Sequence, residues 1–153
     1  MNVPNLVPDF SSPLLTSGFV SEPKCEEKAI LLVEDDSALR RYLQIILERS
    51  GFYVVTARDG MDAMSKLETY SFAVIVTDGV MPYLDGYELC RFVRKHETLS
   101  QTPVILLSGL DHEDSDEELN ARADVYLSKP VSPDDLVRHL ESLMPIAASA
   151  TSF

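Results

Sequence analysis

The sequence predicts an α/β domain, a doubly wound open sheet of five parallel strands with helices on both faces. Three observations carry this expectation. Short β-rich runs alternate with apolar stripes at helical spacing, the links between them are short, and three of the runs are almost wholly apolar. Alternation with short links implies parallel βαβ units joined by right-handed crossovers. Strands that are apolar throughout need cover on both faces, which flanking helix layers provide.

In order, "AILLV" (29–33) is the first strand. Leu39, Leu43, Ile46 and Leu47 then recur at helical spacing and stop before Gly51, a residue suited to ending a helix. "FYVVTA" (52–57) is the second strand, followed by a shorter helical stripe of Ala63, Met64 and Leu67. "FAVIVT" (72–77) runs into Asp78, and Leu89, Phe92 and Val93 mark a third helix for which Asp85 and Gly86 supply cap and turn. "PVILLS" (103–108) and "DVYLS" (124–128) are the last two strands. Between them, "GLDHEDSDEELNARAD" shows little apolar periodicity and predicts at most a short helix. The final helix opens "SPDD", with Ser132 as N-cap, Pro133 at the first helical position and Asp135 near the capping-box position. It turns Leu136, Val137, Leu140 and Leu143 inward.

The domain occupies residues 28–145. Residues 1–27 carry Pro4, Pro8, Pro13 and Pro23 with scattered serines and no sustained period, which predicts a flexible arm, and 146–153 form a tail. A chain of 153 residues with 45% apolar content has enough material for one core. Its formal charge of −12 excludes a direct nucleic-acid surface, which needs clustered Lys and Arg. Cys25 and Cys90 lack metal-ligand spacing, consistent with a reducing cytoplasm. Neither a secretory leader nor a long apolar run is visible, so no membrane insertion is expected.

Ligands of open α/β sheets bind beyond the carboxyl ends of the strands, so the residues there carry the chemistry. The first strand ends in Glu34, Asp35 and Asp36, and the third in Asp78. Were these strands neighbours, three carboxylates would converge, an arrangement that needs a cation or raised pKa values. An all-oxygen set suits Mg²⁺. Asp36 is assigned as the cap of the first helix. Ser108 ends the fourth strand, and Lys129, aimed by Pro130, follows the fifth. A cation, an ammonium and a hydroxyl around one carboxylate would stabilise phosphoryl transfer to it, with Asp78 as nucleophile.

Four segments, "ILLVEDDSALR", "VIVTDGVMPYLDGYEL", "PVILLSG" and "YLSKP", in that order resemble the receiver domain of response regulators in two-component signalling. The resemblance implies the flavodoxin-like fold of the chemotaxis regulators, with strand order 2-1-3-4-5. It also implies that Asp78 is the phospho-acceptor, Asp35 a direct Mg²⁺ ligand, Glu34 an acid acting on the metal through water, and the backbone carbonyl of Val80 a further ligand. Ser108 matches the switch hydroxyl, Lys129 the phosphate-pairing lysine and Tyr126 the aromatic switch residue, and the Lys129–Pro130 bond is expected to be cis. Val80 and Leu110 fall where the family sets the dephosphorylation rate; both are apolar, so slow hydrolysis is expected.

Family membership further implies a histidine kinase or histidine phosphotransfer protein as donor, a phosphorelay context, and a downstream protein target. The receiver would catalyse its own phosphorylation and slow dephosphorylation. Two departures stand out: the Ser108 to Lys129 spacing is short by one residue, and Arg122 replaces the usual glycine. Six acidic residues in 111–118 are expected to favour basic partners. One alternative is a haloacid-dehalogenase-type phosphatase, because "VTDGV" resembles its loop, but its nucleophile would fall on Val76. Another is a receiver-like module that binds partners without taking phosphate, which the complete Asp35, Asp78, Ser108 and Lys129 set disfavours.

Overall fold

The three nearly continuous apolar runs are the three central strands. A computed structural model describes residues 29–109 and 121–144. Its elements are β1 (Ala29–Val33), α1 (Ser37–Arg49), β2 (Tyr53–Ala57), α2 (Gly60–Thr69), β3 (Val74–Asp78), α3 (Gly86–Lys95), β4 (Val104–Ser108), β5 (Val125–Ser128) and α4 (Pro133–Leu143). The strands form one parallel sheet in the order β2-β1-β3-β4-β5. Every residue of β1, β3 and β4 is buried, whereas β2 and β5, at the edges, keep exposed positions.

Side chains alternate across the sheet, and each face meets its own helices. Leu31, Val33, Ile75 and Leu106 pack with Ala63 of α2 and with Leu89 and Val93 of α3. On the opposite face Ile30, Leu32, Val76 and Ile105 pack with Leu43 of α1 and Leu136 of α4. Fully burying such side chains stabilises the fold by about 1.5–3 kcal/mol each.

The helix starts follow their sequence signals. Asp36 caps α1, its Oδ1 accepting from Ala38 N at 2.9 Å and Leu39 N at 3.1 Å. Asp85 and Glu88 form a reciprocal capping box on α3, and Ser132 Oγ accepts from Asp135 N at 3.3 Å on α4. Cys90 is a buried core residue whose thiol donates to the Ala121 carbonyl, and burial pushes its pKa up to about 11.

Arg122, in place of the usual glycine, still takes the left-handed conformation with φ 59°. That region disfavours residues with a Cβ by roughly 1–2 kcal/mol. The surroundings offset this through Arg94, whose Nε donates to the Arg122 carbonyl at 2.8 Å and whose Nη2 pairs with Asp124 at 2.6 Å. Its Nη1 also donates to the Ser100 and Thr102 carbonyls, so one guanidinium ties α3, the approach to β4 and the entry to β5 together.

Candidate functional site

Strand register brings the charged residues together. Val33 of β1 lies opposite Thr77 of β3, so Glu34 emerges beside Asp78. Asp78 lies opposite Leu107, which places Ser108 one step beyond it on β4. Ser108 in turn faces Ser128, and Lys129 follows, its N–H donating to the Ser108 carbonyl at 2.8 Å. The Lys129–Pro130 bond is cis, as the resemblance implies.

The carboxylates of Glu34, Asp35 and Asp78 lie within 4.8 Å of one another. Glu34, Asp78 and Ser108 are buried and Asp35 is exposed. Lys129 Nζ stands 2.9 Å from Asp78 Oδ1 and 3.6 Å from Glu34 Oε1. Glu34 Oε2 accepts from Asp36 N at 3.1 Å, while buried Oε1 has no hydrogen-bond partner among the described residues. A hard, all-oxygen donor set with one unsatisfied buried oxygen fits a divalent cation of the Mg²⁺ type.

Burial pushes Glu34 up to about 7; the Asp36 N–H works against this, the Asp78 charge adds to it, and the Lys129 charge opposes it. Lys129 is itself held above the ordinary lysine value: partial burial acts against its charge, but the hydrogen bond and charge of Asp78, then Glu34, outweigh that cost. A carboxyl raised on folding contributes stability that is fully present below its unfolded value and lost as pH rises through about 7. In chelator, the wild type is therefore expected to lose thermal stability relative to Glu34→Gln between about pH 4.5 and 7. Parallel pH profiles for the two proteins would show that Glu34 is not strained if their melting temperatures stay offset by a constant amount.

Two features around the acids have structural causes. A Cβ on Gly86 would collide with the Asp78 carbonyl oxygen, and Gly86 N donates to Gly79 O at 2.9 Å. The loop after β3 is thus closed against the carbonyl of Asp78 itself, and only glycine permits it. Arg40, to which the sequence reading gave no role, donates from Nη1 to the Glu34 carbonyl at 2.8 Å. It pins the turn that presents Glu34 and Asp35; its place one helical turn beyond two acids was the signal available.

Tyr126 lies on edge strand β5, partly exposed, and its hydroxyl accepts from Ala123 N at 3.0 Å. It stands opposite Leu106, so its place in the register is apart from the acid cluster at the strand ends. The side chain of Val80 is exposed on the loop after β3. Leu110 and the acidic run 111–118 lie outside the described residues. Val76, where a dehalogenase-type nucleophile would fall, is wholly buried within β3.

The fold and the acid cluster with its lysine define an open α/β domain of the signalling type, and the comparisons agree. A family profile described as the response regulator receiver domain matches residues 30–141, and the chain belongs to that family. It is 37% identical over 118 residues to the alkaline phosphatase synthesis transcriptional regulatory protein PhoP of Bacillus subtilis, covering 76% of this chain and 48% of PhoP. The chain thus spans about half the length of that relative. Protein PilG of Pseudomonas aeruginosa is 32% identical, with 83% of this chain and 98% of PilG aligned. Among solved structures, the receiver domain of the sensor histidine kinase PA1611 from Pseudomonas aeruginosa, with a magnesium ion coordinated in its active-site cleft, superposes with TM-score 0.70. It is 31% identical, covering 77% of this chain and 98% of that one. No helix among the described residues is long and apolar enough to cross a membrane.

Proposed function

We propose that the chain is a phosphorylation-dependent receiver in which Asp78 accepts a phosphoryl group from a phosphohistidine on a histidine kinase or histidine phosphotransfer protein. The observation that carries this reading is the 2.9 Å contact of Lys129 Nζ with Asp78 Oδ1 inside a cluster of acids in which Glu34 and Asp78 are buried and Asp35 is exposed. An Asp78 oxygen attacks phosphorus, the new P–O bond forms as the P–N bond breaks, and the electron pair of that bond leaves on the donor imidazole. Lys129 draws toward the charge gathering on the phosphoryl oxygens, and the Ser108 hydroxyl donates to another of them. Asp35, Asp78 and the Val80 carbonyl would hold Mg²⁺ directly, with Glu34 acting through water. When bound, that ion neutralises the charge that would otherwise repel the incoming dianion.

Residues 28–145 form the working unit, flanked by the 1–27 arm and the 146–153 tail, in a cytoplasmic phosphorelay. Ser108 and Tyr126 would relay the modification to a surface read by a downstream protein. An apolar groove of about 660 Å³, lined by Leu39, Tyr42, Leu43, Pro130 and Val131 and bordered by Lys129, suits a helix of the donor protein. Intact mass after incubation with a small phosphodonor tests the reading. One added phosphoryl with Mg²⁺ and none in excess chelator is expected; no addition under either condition would favour a module that binds partners unphosphorylated.

A further inference from the structure

The loop after Asp78 displays a side chain that the fold itself does not use. Tyr83 is 89% exposed and has φ 70°, in the left-handed region that disfavours residues with a Cβ, large aromatics among them. Asparagine or glycine would occupy this backbone more comfortably, and the ring gains little burial in return. The loop is nevertheless held firmly. Gly86 N donates to Gly79 O at its base, a Cβ on Gly60 would collide with Leu84, and the Asp85–Glu88 capping box fixes its far end. A rigid loop thus presents an aromatic ring at its tip and exposed Val80 near its start.

The reaction fixes what comes to this ring. Asp78 is only 6% exposed and lies at the carboxyl end of β3, where the loop carrying Tyr83 begins, so that loop is one of the segments bordering the acceptor carboxylate. Exposed, preorganised tyrosines are suited to anchoring such contacts because they bring large area at small entropic cost. We propose that Tyr83 is a specificity-determining contact for the phosphohistidine-bearing protein, its ring packing against apolar side chains beside the donor imidazole. This inference rests on the acceptor reading of Asp78 and adds the residue by which a protein donor is recognised. A strained, exposed aromatic that makes no use of its own fold is the kind of residue a contact in a complex would retain.

The test compares Tyr83→Asn and Tyr83→Phe with the wild type, using phosphoramidate with Mg²⁺ as the small donor. The protein donor is whichever of a panel of phosphorylated histidine kinase and phosphotransfer domains transfers fastest to the wild type. Tyr83→Asn should slow transfer from the protein about tenfold or more, through a raised KM, while labelling by phosphoramidate and thermal stability are undiminished. Tyr83→Phe should stay within about threefold of the wild type, because the ring provides most of the contact area. Unchanged transfer from the protein to Tyr83→Asn would overturn the inference, as would an equal loss with both donors, which would mark the residue as structural. A wild type that phosphoramidate never labels would instead overturn the acceptor reading, and this inference with it.

Discussion

Lys129→Ala is expected to slow phosphoryl transfer to Asp78 by about a hundredfold, the order found when one preorganised donor is removed from a reacting oxygen. Among the described residues Lys129 pairs with the buried acids Asp78, at 2.9 Å, and Glu34, at 3.6 Å. Its loss removes the ammonium that would draw in the phosphoryl oxygens and leaves two buried carboxylates without it. Lys129→Arg should recover little, since a planar guanidinium does not reproduce a compact ammonium at that short contact. Initial rates with a small phosphodonor at saturating Mg²⁺ measure the effect. A reduction below about threefold would show that the lysine stabilises the acids and contributes nothing to transfer.

The second large effect concerns the lifetime of the phosphorylated form. Val80 lies two residues past Asp78 with its side chain exposed, and it can neither accept a proton nor position a water by hydrogen bonding. Leu110 is placed at the companion position by the resemblance alone. Val80→Asn together with Leu110→Glu is expected to accelerate loss of phosphate about tenfold, because a polar side chain beside the acyl phosphate can hold the attacking water. Following loss of phosphate in Mg²⁺ for both proteins checks this. A wild type that already dephosphorylates as fast as the double variant would place control of water access elsewhere in the site.

Much of the fold and the site was legible because both depend on period and on strand ends. The apolar runs ending at Val33, Thr77 and Ser108 announced parallel strands covered on both faces, and parallel pairing in near register then aligned their ends. Hence Glu34, Asp78, Ser108 and Lys129 meet without any long-range information beyond strand order. Caps at Asp36, Asp85 and Ser132 were legible for a similar reason, since capping is local.

What could not be read depends on three-dimensional surroundings. Arg40 looks like a surface residue on an amphipathic helix until its guanidinium is seen on the Glu34 carbonyl. Raised pKa values were among the expectations for converging carboxylates, but that Glu34 is the group held up, and by burial before charge, follows from surroundings that one sequence position cannot reveal. Tyr83 falls in a turn segment where sequence gives neither its exposure nor its left-handed backbone. Arg122 shows the converse: the sequence marked a missing glycine, and the structure accommodates the conformation through hydrogen bonds donated by Arg94, 28 positions earlier.

In the proposed reaction Asp78 carries the phosphoryl group as an acyl phosphate. Borohydride reduction of the protein after Mg²⁺ and phosphodonor treatment, followed by peptide mapping, tests it most directly, because an aspartyl phosphate is reduced to homoserine. Homoserine at position 78 in the wild type, and none in Asp78→Asn or in excess chelator, is the expected result. Homoserine at another aspartate, or none in a wild type that has gained a phosphoryl group by intact mass, would contradict it.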